Sequence, residues 1–240
     1  MMTGVLRAFG LDLRRLGSQG WGNLLFAVVA IPVALVLLSV GGRLSSSLSS
    51  NMIVGCLVGA FSVMPMTVFG YEQQGGHARM NGVIPVRRLG QVTGRYLLLG
   101  ALAVVLFVEC LVCQAAVPLS FGRPLTPDAP VVAVLAMASY VMIEAVAVPL
   151  LYRFPMQKVW LILFGGCLVI GAAAAALSKL LPLVLPASAL AACARVASAV
   201  IETLASAGPA AAAFAGIIVM IVAVVVSFIA SSRIYRGKEL

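Results

Sequence analysis

The chain has 240 residues, of which 62% are hydrophobic and 10% charged, and it carries a net charge of +9. So apolar a composition excludes a soluble domain and a disordered chain. The apolar residues gather into six uncharged or nearly uncharged runs, about 21–41, 52–70, 96–119, 130–151, 159–177 and 208–230. A helix rises ~1.5 Å per residue, so ~20 residues cross ~30 Å of hydrocarbon. The pattern predicts an all-α polytopic membrane protein with six transmembrane helices, built as one transmembrane domain over residues 1–240. The segments between the runs leave no room for a soluble catalytic domain, so the chain is not expected to be an enzyme.

Residues 4–20 place Val5, Leu6, Phe9, Leu11, Leu13 and Leu16 among Arg7, Asp12, Arg14 and Arg15. This spacing predicts a short amphipathic helix on the membrane surface. The alternative is a solvated leader with a few apolar residues. It does not read as a cleaved signal peptide, because Arg14 and Arg15 fall late and Asp12 interrupts the apolar residues. Run two carries Gly55 and Gly59, a spacing that lets helix backbones approach closely.

Residues 71–95 form the richest connector. It holds Glu72, the only histidine of the chain, His77, and the basic residues Arg79, Arg87, Arg88 and Arg95; Gly75, Gly76, Gly82 and Pro85 break it. So long a connector exceeds what a turn requires and points to a cytoplasmic binding role. His77 reads as a solvated loop residue.

Two carboxylates fall inside the runs, Glu109 in the third and Glu144 in the fourth. Counted from the outer ends of their runs they differ in depth by only ~6 Å. An ionised carboxylate in hydrocarbon is costly, so both are expected to face the bundle interior or a water path. One reading makes them part of a translocation path; the other makes them protonated carboxyls hydrogen-bonded to neighbours, with Tyr140 one turn from Glu144. Cys110 and Cys113 form a CxxC pair among apolar neighbours, which reads as packing rather than as a redox or metal site. Cys193 is the only cysteine in a loop, so no external disulfide framework is predicted.

Residues 178–207 remain mostly apolar but are interrupted by Pro182, Pro186, Arg195 and Glu202. They predict one or two short helices at the outer interface between spans five and six. The tail is basic, with Tyr235 at interface depth.

Orientation follows from charge. With the N-terminus inside, the inner segments hold Arg7, Arg14, Arg15, Arg79, Arg87, Arg88, Arg95, Arg153, Lys158, Arg233, Arg236 and Lys238; the outer loops hold only Arg43, Arg123, Lys179 and Arg195. The positive-inside bias puts both termini in the cytoplasm of a cell inner membrane. The same asymmetry predicts contact with anionic lipid headgroups rather than with nucleic acid. One histidine cannot build a histidine-based metal cluster, and there is no GxxxxGK[ST] phosphate loop. Neither a metal nor a cofactor is expected.

The chain resembles the membrane subunits of type-2 ABC exporters, in particular short permeases that export peptides and bacteriocins or confer immunity to them. The resemblance is carried by Tyr71-Glu72, by Pro85-Val86-Arg87-Arg88, and by Arg95-Tyr96 opening span three. The family commonly shows an acidic dipeptide at the first position; here only Glu72 stands. The resemblance implies a separate cytoplasmic ATPase subunit that binds ATP, contacted by Glu72, Pro85, Arg87 and Arg88, and a second permease subunit, identical or different. Its substrate would be a peptide, a lipid-like or a drug-like molecule. Two other readings stand beside it: the substrate-binding membrane subunit of a vitamin importer, and a membrane scaffold without transport.

Overall fold

The computed structural model describes residues 2–18, 25–40, 46–73, 88–122, 124, 128–184 and 208–237, with positions 188, 192, 195, 198 and 199. Among them there is no β-strand. Helix α1 is Met2–Ser18. A π-helical turn at Phe26–Ala30 leads into α2, Ile31–Val40. Four long helices and a closing one follow: α3 Ser46–Gln73, α4 Arg88–Ser120, α5 Ala129–Arg153, α6 Met156–Val184 and α7 Gly208–Arg236.

Five helices are long and apolar enough to cross a membrane: Met52–Gln73, Arg88–Ser120, Ala129–Arg153, Met156–Leu177 and Phe214–Arg236. The first expected span, 21–41, is represented by the π turn and α2, whose apolar core Val28–Leu38 is shorter. The fifth expected span was to end at residue 177, but α6 continues to Val184. Three of the added residues, Leu180, Leu181 and Leu183, favour continuation.

Local chemistry explains the helix ends. Phe154 is extended, at φ −121° and ψ 155°, because Pro155 disfavours the helical region for the residue before it. Pro155 then caps α6, its carbonyl accepting from the amides of Lys158 and Val159 at 2.9 and 3.2 Å. After α4 the chain turns at Gly122, whose φ of +64° suits a residue without a Cβ. Pro65, Pro118 and Pro149 sit inside α3, α4 and α5; in a membrane bundle neighbouring groups absorb such interruptions.

Helix α5 is central, packing on α3, α4, α6 and most extensively on α7. Helix α1 lies across α4 and α3. One apolar cluster joins Leu57, Phe61, Leu106, Cys110, Ala136 and Tyr140; a second joins Phe69, Val92, Leu99, Val148, Leu151 and Tyr152. Among the described residues α6 packs mainly on α5 and α3, and leaves Leu161, Phe164 and Leu168 exposed. The amphipathic pattern of α1 is resolved into a buried row of Ala8, Asp12 and Leu16, with Leu6, Leu13 and Arg14 outside.

Candidate coupling site and intramembrane carboxylates

The row on α1 contains an acid at the i+4 position between Ala8 and Leu16, and it has a partner. Asp12, 3% exposed, faces Arg95 of α4, 6% exposed. Arg95 donates from Nε to Asp12 Oδ2 at 3.3 Å and from Nη2 to Asp12 Oδ1 at 3.4 Å. Its Nη2 also donates to Glu72 Oε1 at the end of α3, at 2.5 Å. Arg15 completes the set, pairing with Asp12 at 3.1 Å and with Glu72. Two acids and two bases thus form a neutral network that joins α1, α3 and α4. A buried charge needs such pairing, because desolvation of a lone ion costs several kcal/mol.

Aromatic rings enclose the network. The Arg95 guanidinium lies 4.1 Å from the centre of the Phe69 ring and 5.5 Å from that of Tyr152. Phe69 and Tyr152 meet edge to face at 5.1 Å, and Tyr152 meets Tyr235 at 5.2 Å. The ends of α5 and α7 are thereby drawn to the same place. Tyr235 donates to Gln91 Oε1 at 2.5 Å, and Arg88 donates to the carbonyl of Arg236 at 3.1 Å. The Gln73 amide spans the turn between α5 and α6: it accepts from the Met156 N–H at 2.8 Å and donates to the Phe154 carbonyl at 3.5 Å.

Close backbone contact lets α1 reach this network. A Cβ on Gly94 would lie 2.7 Å from Ala8 Cβ and 2.9 Å from the Phe9 nitrogen. Only glycine fits there, one residue before Arg95.

Of the expected coupling residues, Pro85 and Arg87 lie outside the described residues, as do His77 and the rest of 74–87. Glu72 and Arg88 flank that segment, and both hold contacts within the chain. Sequence reasoning missed Arg15 and Arg95 as partners of Glu72, and Asp12 as the second acid they share. The signal present was an acid within the apolar row of an amphipathic helix.

Glu144 is 2% exposed on α5, and Glu109 is half-buried on α4 with both carboxylate oxygens covered. Among the described residues none of these four oxygens has a hydrogen-bond partner. The expected bond between Glu144 and Tyr140 is therefore corrected: the Tyr140 hydroxyl, fully buried, is also without a partner. Both residues point off α5 one turn apart, and each is held by packing rather than by the other. Ser62 on α3 carries a second buried hydroxyl with none among the described residues.

Arg95 and Tyr152 fix a common level for α4 and α5. From it Glu144 stands eight residues up and Glu109 fourteen, or ~12 and ~21 Å by helical rise. Their separation in depth is thus ~9 Å rather than ~6 Å, because α4 and α5 are staggered. Ser62, seven residues above Phe69, stands at ~10 Å, close to the level of Glu144. Cys110 and Cys113 are buried free thiols. Among the described residues no group of three histidine, cysteine or acidic side chains is placed to hold a metal.

The family model described as ABC-2 family transporter protein matches residues 20–236. No curated protein and no solved structure matches the chain.

Proposed function

Because the chain belongs to the ABC-2 transporter family, we propose that it is the membrane permease subunit of an ATP-driven exporter, working with a separate ATPase subunit and a second permease copy or homologue. It moves a peptide, lipid-like or drug-like substrate outward and performs no chemistry on it. ATP is bound by the partner. The observation that carries this reading is where two helices end and begin: α3 ends one residue after Glu72 and α4 begins seven residues before Arg95, so a load delivered at either end passes directly into the Asp12–Arg15–Glu72–Arg95 network. A network shared by three helices, with two more packed around it, is an element that can carry motion into the bundle.

Six crossings and cytoplasmic termini belong to the same proposal. Helix α1 sits beside Glu72, at the finishing end of α3. Helix α3 begins at Ser46, 27 residues earlier, or ~40 Å away along its axis. The chain between residues 18 and 46 therefore has to return across the bundle, which supports α2 as a crossing despite its length. The basic residues at the α1 end support a cytoplasmic placement, within an inner membrane that also offers anionic lipids.

The test is co-purification. Arg87→Ala with Arg88→Ala is expected to weaken recovery of the ATPase subunit and to uncouple its ATP hydrolysis from transport, with membrane insertion intact. Buried interfacial charge pairs cost ~2–5 kcal/mol when one partner is truncated. Unchanged recovery and unchanged coupling would reduce the segment to a connector.

A further inference from the structure

Glu144, Val148 and Tyr152 follow one another at i+4 spacing along the buried face of α5. Tyr152, at the foot of this row, touches Phe69 of α3, Arg95 of α4 and Tyr235 of α7. The row therefore points to the junction of those three helices. The contact between Tyr152 and Tyr235 sets α5 and α7 level, and Ser227 precedes Tyr235 by eight residues, as Glu144 precedes Tyr152. Ser227 and Glu144 thus stand at one height, ~12 Å above Arg95. Ser227 is buried and shares a hydrogen bond of 2.6 Å with the Tyr96 hydroxyl, which Ser231 also meets at 3.0 Å. Tyr96 lies within electrostatic reach of Glu144, as does Tyr140. Tyr96 has another neighbour as well. Above Arg88, α4 and α7 part around an apolar groove of about 650 Å³, open along one side and lined by Tyr96 and Phe228, which meet edge to face at 5.3 Å. Tyr96 thus belongs both to the groove wall and to the surroundings of Glu144.

Among the described residues, nothing offsets a charge on Glu144. Its own helix offers the phenols Tyr140 and Tyr152, with Arg153 at the foot. Helix α4 brings Tyr96, Glu109 ~9 Å higher, and Arg95 ~12 Å lower, and Arg95 is held by Asp12 and Glu72. Helix α3 brings Tyr71 and Glu72, α6 brings Lys158, and α7 brings Arg233, Tyr235 and Arg236, all near the foot. Both Glu144 oxygens are buried without a hydrogen-bond partner among the described residues. A carboxylate so placed leaves water at a cost of several kcal/mol with no counter-ion to return it. A proton neutralises it without adding volume, and volume is short there, since Ala147 and Val148 are fully buried one turn away.

We propose that Glu144 is a proton-binding site of the packed bundle, closed from the α4–α7 groove by Tyr96. Movement of Tyr96 away from Ser227 and Ser231 admits water to the carboxyl. The Glu144 O–H bond then breaks, its electron pair stays on the carboxylate, and the proton passes to water as hydronium; closing reverses the step. The packed form binds the proton more tightly than an opened, hydrated form. Falling pH therefore favours packing, and rising pH favours opening. The site rests on the packing of α4, α5 and α7 and is independent of the ATPase and of the substrate.

The test is infrared absorption of the full chain in lipid discs at neutral pH, before and after transfer to heavy water. The unaltered chain is expected to show the carbonyl stretch of a protonated carboxyl, which Glu144→Gln lacks and Glu109→Gln keeps. In heavy water that band shifts as the carboxyl proton exchanges. Tyr96→Phe keeps the ring and loses both hydroxyl bonds, and is expected to speed the shift by about fivefold, the factor that one net hydrogen bond supplies. If Glu144→Gln fails to fold, Glu109→Gln carries the test, because the band has to remain there. A band of equal strength in the unaltered chain and in Glu144→Gln would overturn the proposal, and so would complete loss of the band in Glu109→Gln. Exchange at the same rate in Tyr96→Phe as in the unaltered chain would overturn closure by Tyr96.

Discussion

At the scale of single residues, the most consequential side chain is Arg95. It holds Asp12 and Glu72 across 83 and 23 positions of sequence and lies against Phe69. Truncating one member of a buried ion network leaves its partners charged and unpaired, at a cost of about 3–5 kcal/mol. Arg95→Leu is therefore expected to lower the thermal unfolding midpoint of the purified protein by far more than Arg14→Leu, an exposed residue on α1. Equal effects would show that the network contributes no stability. Glu144 gives the opposite expectation. Its carboxylate is buried with no partner among the described residues, and a polar group so placed forfeits about 1–3 kcal/mol of desolvation. Glu144→Met is expected to raise the unfolding midpoint and to depress transport, since an unstable group kept in a packed interior points to use. A more stable protein with normal transport would make Glu144 a relic of packing. The sequence identified Glu144 because an acid stands out in an apolar run. It did not identify Asp12, because an acid in an amphipathic helix looks solvated until the helix is docked.

At the scale of elements, the docking of α1 depends on one glycine. The side-chain-free surface at Gly94 lets the Ala8–Phe9 backbone approach α4 closely enough for Asp12 to meet Arg95. A larger residue there forces the helices apart, and overpacking of this kind costs about 1–3 kcal/mol. Gly94→Val is expected to detach α1, seen as faster amide exchange over residues 2–18 with the spans unaffected. Protection unchanged from the unaltered chain would mean that α1 is held elsewhere. The amphipathic character of α1 was legible from spacing, as were the ends of α4 and α5, expected near 119 and 151 and found at Ser120 and Arg153. The extension of α6 to Val184 was not, because Lys179 and Pro182 outweighed the leucines beside them. Hydropathy reads 21–41 as a span, and within it the structure describes the π turn and α2.

At the scale of the whole molecule, the ends of α3, α4, α5 and α7 are drawn together around Arg95, beside α1, which makes one end of the bundle aromatic and rich in charge. Single cysteines at Ser46, Gln74 and Ser232 in a cysteine-free background are expected to divide accordingly. Position 46 should be labelled from outside intact cells, and positions 74 and 232 only after permeabilisation. External labelling of position 74 would invert the topology. Helical class and the membrane setting were legible in sequence, because transfer into hydrocarbon acts on each segment without regard to its neighbours. Glu72 was legible as the single acid of residues 71–95. That Glu72 meets Arg15 and Arg95, that Tyr140 and Glu144 are packed side by side without bonding, and that α4 and α7 part above Arg88 were decided only by tertiary structure. Pairing of buried charges and the shape of a groove depend on which helix faces which and at what stagger. Hydropathy and charge counts, which sum over positions, carry no information about either.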